Sequence, residues 1–422
     1  MATATAEPDG YARGARVLSI GIASTGVFTF AYFAVSSHVL GEAEYGAISL
    51  LWSVLFVVLS VLYRPVEQLL ARTIAERRAA GSTGGHPLRT PATIQLGFAA
   101  TFLVVALALR SPIEDAFESA TLYWVFVVST SAYAASYFAR GWFAGHQWFG
   151  LYGGLVLFES VSRFCFPLAV AVGLASGQTA VALGIAAAPV ASLLVLPWAL
   201  GRGDGPGVDG REQLPMRESS GFALSVAGVQ LAEQTLLNAA VVIVAAQAGS
   251  AAAGVVFSAL LIVRAPLQLF QSVQTSLLPH LAGGGDAARA IRVTVLAIGC
   301  FALVAALALL AIGPWAMDLL FGDLHAYGRG GLALLAVGMG FHLAAGTLNQ
   351  LALASGRAAS AAWSWLGVAV GFVLFVVLAP IDDELLRTEI GYAIAAAALA
   401  AVLATRTRGL AARRASPPAA PG

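Results

Sequence analysis

Apolar runs alternate with short polar breaks along almost the whole chain. From Val17 to Leu200 six runs follow one another, at 17–40, 47–63, 91–109, 121–138, 151–174 and 179–200. Six more follow from Phe222 to Leu403, at 222–246, 254–278, 293–312, 330–353, 359–379 and 389–405. A helix of about 20 apolar residues crosses a hydrocarbon core of about 30 Å. The pattern therefore predicts an all-α polytopic membrane protein with about 12 transmembrane helices.

Composition agrees: 59% of residues are hydrophobic, 11% are charged, and the mean hydropathy is +0.82. A soluble domain carries about 25% charged residues. The Gly/Pro/charge-rich stretch GRGDGPGVDGREQLPMR, Gly201 to Arg217, breaks the chain into six spans plus six. We expect an N-terminal half at 1–200, a cytoplasmic linker at 201–218, a C-terminal half at 219–405 and a disordered cytoplasmic tail at 406–422. The halves share weak features. GEAEYG follows span one where AGSAAAG follows span seven, and VEQLLARTIAE from Val66 resembles VQTSLLPHLAG from Val273. Six spans is an even number, so the two halves would form a parallel repeat of two six-helix bundles. The longest connection, Arg64 to Thr90, opens with RPVEQLLARTIAERR, read as a helical extension of span two.

Charge orients the chain. With a cytoplasmic N-terminus, 18 of the 23 basic residues fall on the inner side. Only Arg110, Arg329 and Arg387 lie outside, with the acidic clusters Glu42/Glu44, Glu114/Asp115/Glu118 and Asp382/Asp383/Glu384. The positive-inside rule then sets both termini in the cytoplasm. The first run is longer than a signal-peptide core and reads as a span.

Every basic residue is Arg; the chain has no Lys. This excludes a P-loop and Schiff-base chemistry, both of which need the Lys amine. Gly283-Gly284-Gly285 is thus a loop, with no ATP site. Acidic and basic residues balance at 22 and 23, which points away from nucleic acid. Cys165 and Cys300 lie in apolar spans and read as small hydrophobes. No metal or cofactor is expected.

Charges inside the spans carry the functional signal, because such residues face a cavity or a partner. Glu159 and Arg163 stand four apart on span five, either as a self-neutralising pair or as a charged cavity wall. Arg264 heads a stripe with Gln268, Gln271 and Thr275 on span eight, beside Pro266. Span seven carries Gln230, Glu233, Gln234 and Asn238. Arg264 is a candidate contact for an anionic group of a transported molecule, and pairing with Glu233 is the structural alternative. In the first half, Thr25, Thr29, Tyr32 and Ser36 share a face of span one. Ser53, Ser60 and Arg64 mark span two, and Ser129, Tyr133, Ser136 and Arg140 span four. Ser and Thr in membrane helices commonly serve packing, and that reading is favoured here. His342, with Asn349 and Gln350 on span ten, is read as helix packing ahead of a proton relay.

LGEAEYG (Leu40 to Gly46), RGWFAGHQWFG (Arg140 to Gly150), GPWAMDLLFG (Gly313 to Gly322) and LASGR (Leu353 to Arg357) are short motifs whose order matters more than any member. With the 6+6 layout they resemble the polysaccharide-export branch of the multidrug/oligosaccharidyl-lipid/polysaccharide (MOP) exporter superfamily, over nearly the whole chain. Many members have fourteen spans, two more than fit here. The resemblance implies two six-helix bundles with alternating access and a cavity lined by spans one, two, seven and eight. It implies flipping of an undecaprenyl-diphosphate-linked oligosaccharide across a bacterial cytoplasmic membrane, alongside glycosyltransferases or a polysaccharide polymerase. Arg264 and Arg64 would meet the diphosphate, and Arg163 matches less securely; Gln268, Gln271, Gln230, Gln234, Asn238, Thr25, Thr29 and Tyr32 would line the cavity. The main rival is a drug/cation antiporter of the same superfamily with Glu233 as the ion-coupling acid. A non-transporting scaffold or a membrane-bound sugar polymerase ranks lower, since no loop exceeds about 27 residues and no catalytic constellation stands out. The chain is expected not to be an enzyme.

Overall fold

The computed structural model describes residues 8–79, 88–200, 216–282, 287–322, 327–354 and 358–415. Side chains are described at 20–78, 88–199, 221–264, 292–322, 327–352 and 359–407, apart from 22, 222 and 225. The first eight helices are α1 (Pro8–Val39), α2 (Glu42–Leu62), α3 (Arg64–Ala79), α4 (Arg89–Ala108), α5 (Arg110–Phe117), α6 (Ala120–Gly145), α7 (Phe149–Ala171) and α8 (Gly177–Ser192). A 3-10 turn leads to α9 (Leu196–Leu200), followed by α10 (Met216–Ala282), α11 (Ala287–Phe321), α12 (Arg329–Ala354), α13 (Ala358–Leu378) and α14 (Glu384–Ala415). No strand occurs among the described residues. In lipid, a helix satisfies its own backbone polar groups, which is why apolar runs of this length take this form.

Helix α10 breaks at Gly249, whose φ of 87° and ψ of 175° lie outside the helical region. A side chain is strongly disfavoured there, so glycine supplies the turn. Setting aside the short α3, α5 and α9 and counting α10 as two gives twelve long helices. Nine stretches among the described residues are long and apolar enough to cross a membrane on their own. Helix α6 is not one of them, because Tyr133, Ser136 and Arg140 interrupt its apolar run and are buried.

The chain divides into two compact units, Met1–Gln230 and Leu231–Gly422. In the first, α1 packs on α7, α7 on α8, α6 on α8, and α3 runs along α6. A Cβ at Gly141 would stand 2.7 Å from the Glu67 carbonyl oxygen, so the α3–α6 contact depends on the missing side chain. In the second unit α11 packs on α12, α12 on α14 and α13 on α14. This matches α4 on α6, α6 on α8 and α7 on α8 in the first unit, the pattern of a repeat.

Two boundaries differ from the sequence expectation. The linker residues 201–215 lie outside the described residues, and the compact units part later, at Gln230. Gln230 lies at the end of the first unit, and its side-chain oxygen accepts a bond from Arg64 Nη1 at 3.2 Å. The tail expected to be disordered from Arg406 is helical through Ala415. Arg406 Nη1 fastens its first turn by donating to the Ser360 carbonyl at 2.8 Å.

Outward-facing side chains are apolar. On α11, Leu296, Leu303, Val304, Leu307 and Leu310 are all exposed, and on α4 so are Leu96 and Val104. In a bilayer these positions meet acyl chains, which are as apolar as Leu itself.

Candidate functional site

Two polar clusters stand inside the helices, one in each unit. In the first unit the centre is Glu159 on α7. Its carboxylate accepts from Arg163 Nη2 at 3.0 Å, Tyr133 Oη at 3.2 Å, Ser136 Oγ at 3.3 Å and from Arg140 Nη2. Arg163 is 2% exposed and also donates to the Tyr133 hydroxyl at 2.8 Å and to Thr29 Oγ1 at 3.4 Å. Its guanidinium lies over the Trp52 ring, 4.4 Å from the centroid, a cation–π contact. Ser192 Oγ on α8 donates to Ser136 at 3.1 Å. The network thus joins α1, α2, α6, α7 and α8. Two guanidinium groups share one carboxylate, and its hydrogen bonds satisfy a charge that would otherwise be costly to bury.

Glu159 and Arg163 are therefore paired. The i,i+4 spacing makes that contact visible in the sequence; its third member, Arg140, stands just beyond the apolar run 121–138 of span four. Helix α6 continues to Gly145, past the apolar run, and carries Arg140 into the interior. The signal was the stripe Ser129, Tyr133, Ser136, Arg140, which ends in the residue that meets Glu159.

The other first-half candidates hold helices together. Thr25 Oγ1 donates to the Gly21 carbonyl at 2.9 Å and accepts from Ser160 at 3.3 Å. Tyr32 is fully buried, and its hydroxyl donates to the Val181 carbonyl at 3.0 Å. Arg64 is exposed and bonded to Gln230. Tyr152 Oη donates to Glu67 at 2.7 Å, which ties α7 to α3.

The second unit is less satisfied. Arg264 Nη1 donates to Asn238 Oδ1 at 3.5 Å, while its buried Nε and Nη2 have no hydrogen-bond partner. Asn238 is held in turn, its Nδ2 donating to Gln234 Oε1 at 2.8 Å. Arg264 thus takes Asn238 as its partner, not Glu233. His342 is 4% exposed, and its Nδ1 has no partner. Its ring is wedged edge-on against Trp365 at 5.4 Å and stacked on Tyr392 at 6.3 Å. Trp365 Nε1 donates to Asn349 Oδ1 at 3.2 Å. Sequence reasoning passed over Tyr392 and Trp365, whose aromatic character reads as ordinary core. The side chains of Gln268 and Gln271 lie outside the described residues. Among the described residues no three His, Cys, Asp or Glu side chains are placed to hold a metal.

No protein-family model matches the sequence, and no curated protein matches it. Solved structures do. An inward-facing multidrug resistance MATE family transporter of the MOP superfamily superposes with a TM-score of 0.63 at 13% identity, over 95% of this chain and 99% of that one. The fold is that of the MATE transporters. An outward-facing multidrug resistance MATE transporter of the MOP superfamily gives 0.61 at 15% identity, with 96% of each chain covered. A mutant of a Vibrio cholerae MATE transporter gives 0.61 at 14%, over 95% of this chain and 98% of that one. These superpositions cover 95–96% of this chain.

Proposed function

We propose that the chain is a transporter of a bacterial cytoplasmic membrane that works by alternating access. The observation that carries this reading is the near-complete superposition on MATE transporters solved in both inward- and outward-facing states. With no Lys for a P-loop, the driving force is an ion gradient or the gradient of the solute. The multidrug transporters among the structural neighbours support exchange of an organic solute for a cation, with Glu233 as the coupling acid.

One observation favours a second reading, a flippase for an oligosaccharide linked to a lipid diphosphate. Arg264 presents two buried N–H groups with no partner, a geometry suited to phosphate oxygens. Glycosyltransferases or a polysaccharide polymerase would then be its partners. Dye accumulation in cells and translocation of a lipid-linked sugar in vesicles separate the two. Exchange of a cationic dye that is lost in Glu233→Gln and kept in Arg264→Gln supports the antiporter. Sugar translocation lost in Arg264→Gln supports the flippase. If wild type does neither, the transporter reading fails.

A further inference from the structure

Two glutamates are enclosed by the helices to the same extent, in opposite surroundings. Glu159 is 5% exposed and meets two guanidinium groups. Glu389 on α14 is 6% exposed, and among the described residues it forms no ion pair. Its carboxylate rests on the bare backbone of Gly331, in the first turn of α12. A Cβ at Gly331 would overlap Oε1 and stand 2.7 Å from Oε2. Since α12 and α14 pack on each other, the carboxyl is set into the seam between them.

The groups around Glu389 supply no balancing charge. Tyr327 stands just before α12 and is 5% exposed; burial first, and then the Glu389 charge, push its hydroxyl well above the ordinary tyrosine range. Asp383 adds a second negative charge at the start of α14, where its Oδ1 accepts from the Leu385 and Leu386 N–H groups at 2.9 and 3.1 Å. Arg387, half a turn away on α14, donates to Gln247 at 2.7 Å. Arg329 of α12 and Asp318 of α11 are exposed, and α13 has no charged residue. An enclosed carboxylate without a basic partner is costly, and a protonated carboxyl far less so. Among the described residues no group of three His, Cys, Asp or Glu could hold a metal ion there, and a proton needs no such set.

We propose that Glu389 is a proton-binding site of the second unit, protonated while α12 and α14 are packed and releasing its proton when the seam opens. One carboxylate oxygen gains an O–H bond and nothing else changes. The site is separate from Glu233 and independent of which solute is carried.

The test takes infrared spectra of the full chain in detergent from pH 6 to 8. A protonated carboxyl shows there as a C=O stretch that shifts in heavy water. Wild type shows such a band near neutral pH; it is lost in Glu389→Gln and kept in Glu233→Gln. Gly331→Ala fills the seat of the carboxyl and moves the loss of the band to lower pH. Thermal unfolding gives a second reading. A group neutral in the fold and ionised once unfolded stabilises at low pH, and that stabilisation is lost as pH rises through its folded-state value. The melting temperature of wild type therefore falls relative to Glu389→Gln as pH rises. A wild-type spectrum with no protonated carboxyl in this range overturns the proposal without any variant, and leaves Glu389 as a fixed charge beside the first turn of α12. A band retained in Glu389→Gln, a band unmoved in Gly331→Ala, or a melting difference that does not vary with pH overturns it too.

Discussion

Glu159 is a buried charge and Arg264 a half-buried one, both in apolar helices, yet they differ in what removal does. Glu159 counters two guanidinium groups through four side chains. Glu159→Gln strands Arg140 and Arg163 without a counter-charge, and breaking such a network costs about 3–5 kcal/mol. We expect a marked fall in the melting temperature of the purified protein and poor recovery from the membrane. The Arg72–Glu76 pair, at 49% and 47% side-chain exposure, is the internal control. Arg72→Ala should shift stability by less than about 0.5 kcal/mol, since exposed helix pairs contribute little. An Arg72→Ala melt as depressed as that of Glu159→Gln would contradict this ordering. The sequence made Glu159 and Arg163 legible as a pair because they sit one turn apart. It hid Arg140 because that contact is tertiary, set by how α6 lies against α7.

Helices were the most legible level, since length and hydropathy alone place twelve apolar runs. Their ends were less so. Span four was read as 121–138, but α6 runs to Gly145 because its polar residues have partners inside the unit. The AGSAAAG stretch was read as a loop, yet the helix resumes after a single non-helical residue, Gly249. Gly249→Ala puts a Cβ into a glycine-only conformation, and we expect a loss of about 1–3 kcal/mol in thermal unfolding. Gly141→Val places branched carbons against the Glu67 backbone, where a single Cβ already stands 2.7 Å away. Helix α3 must then move off α6. Protease cleavage within 64–79 is expected to accelerate, while Val at Gly97, with open space around it, leaves cleavage unchanged.

For the whole molecule, the 6+6 plan was readable from span spacing, and the matched packing of α4, α6, α7, α8 with α11, α12, α13, α14 adds what spacing alone lacks. The division point was not readable. The Gly/Pro stretch looks like the natural seam, but the compact units part at Gln230, inside α10. The solute was least legible, because cavity chemistry depends on which buried N–H groups lack partners, and no linear pattern records that. One further consequence lies in α11. Its helical stretch Arg292–Phe321 has 30 residues, and the most apolar 18-residue window within it is 17% buried in protein. At 1.5 Å per residue it reaches about 45 Å, well beyond a core of about 30 Å. A helix so long and so little enclosed leans, thickens the lipid around it, or carries Arg292 and Asp318 into the headgroup layers. Transport in vesicles should therefore rise from C14 to C20 acyl chains, and a flat dependence on chain length would show that α11 carries no mismatch strain.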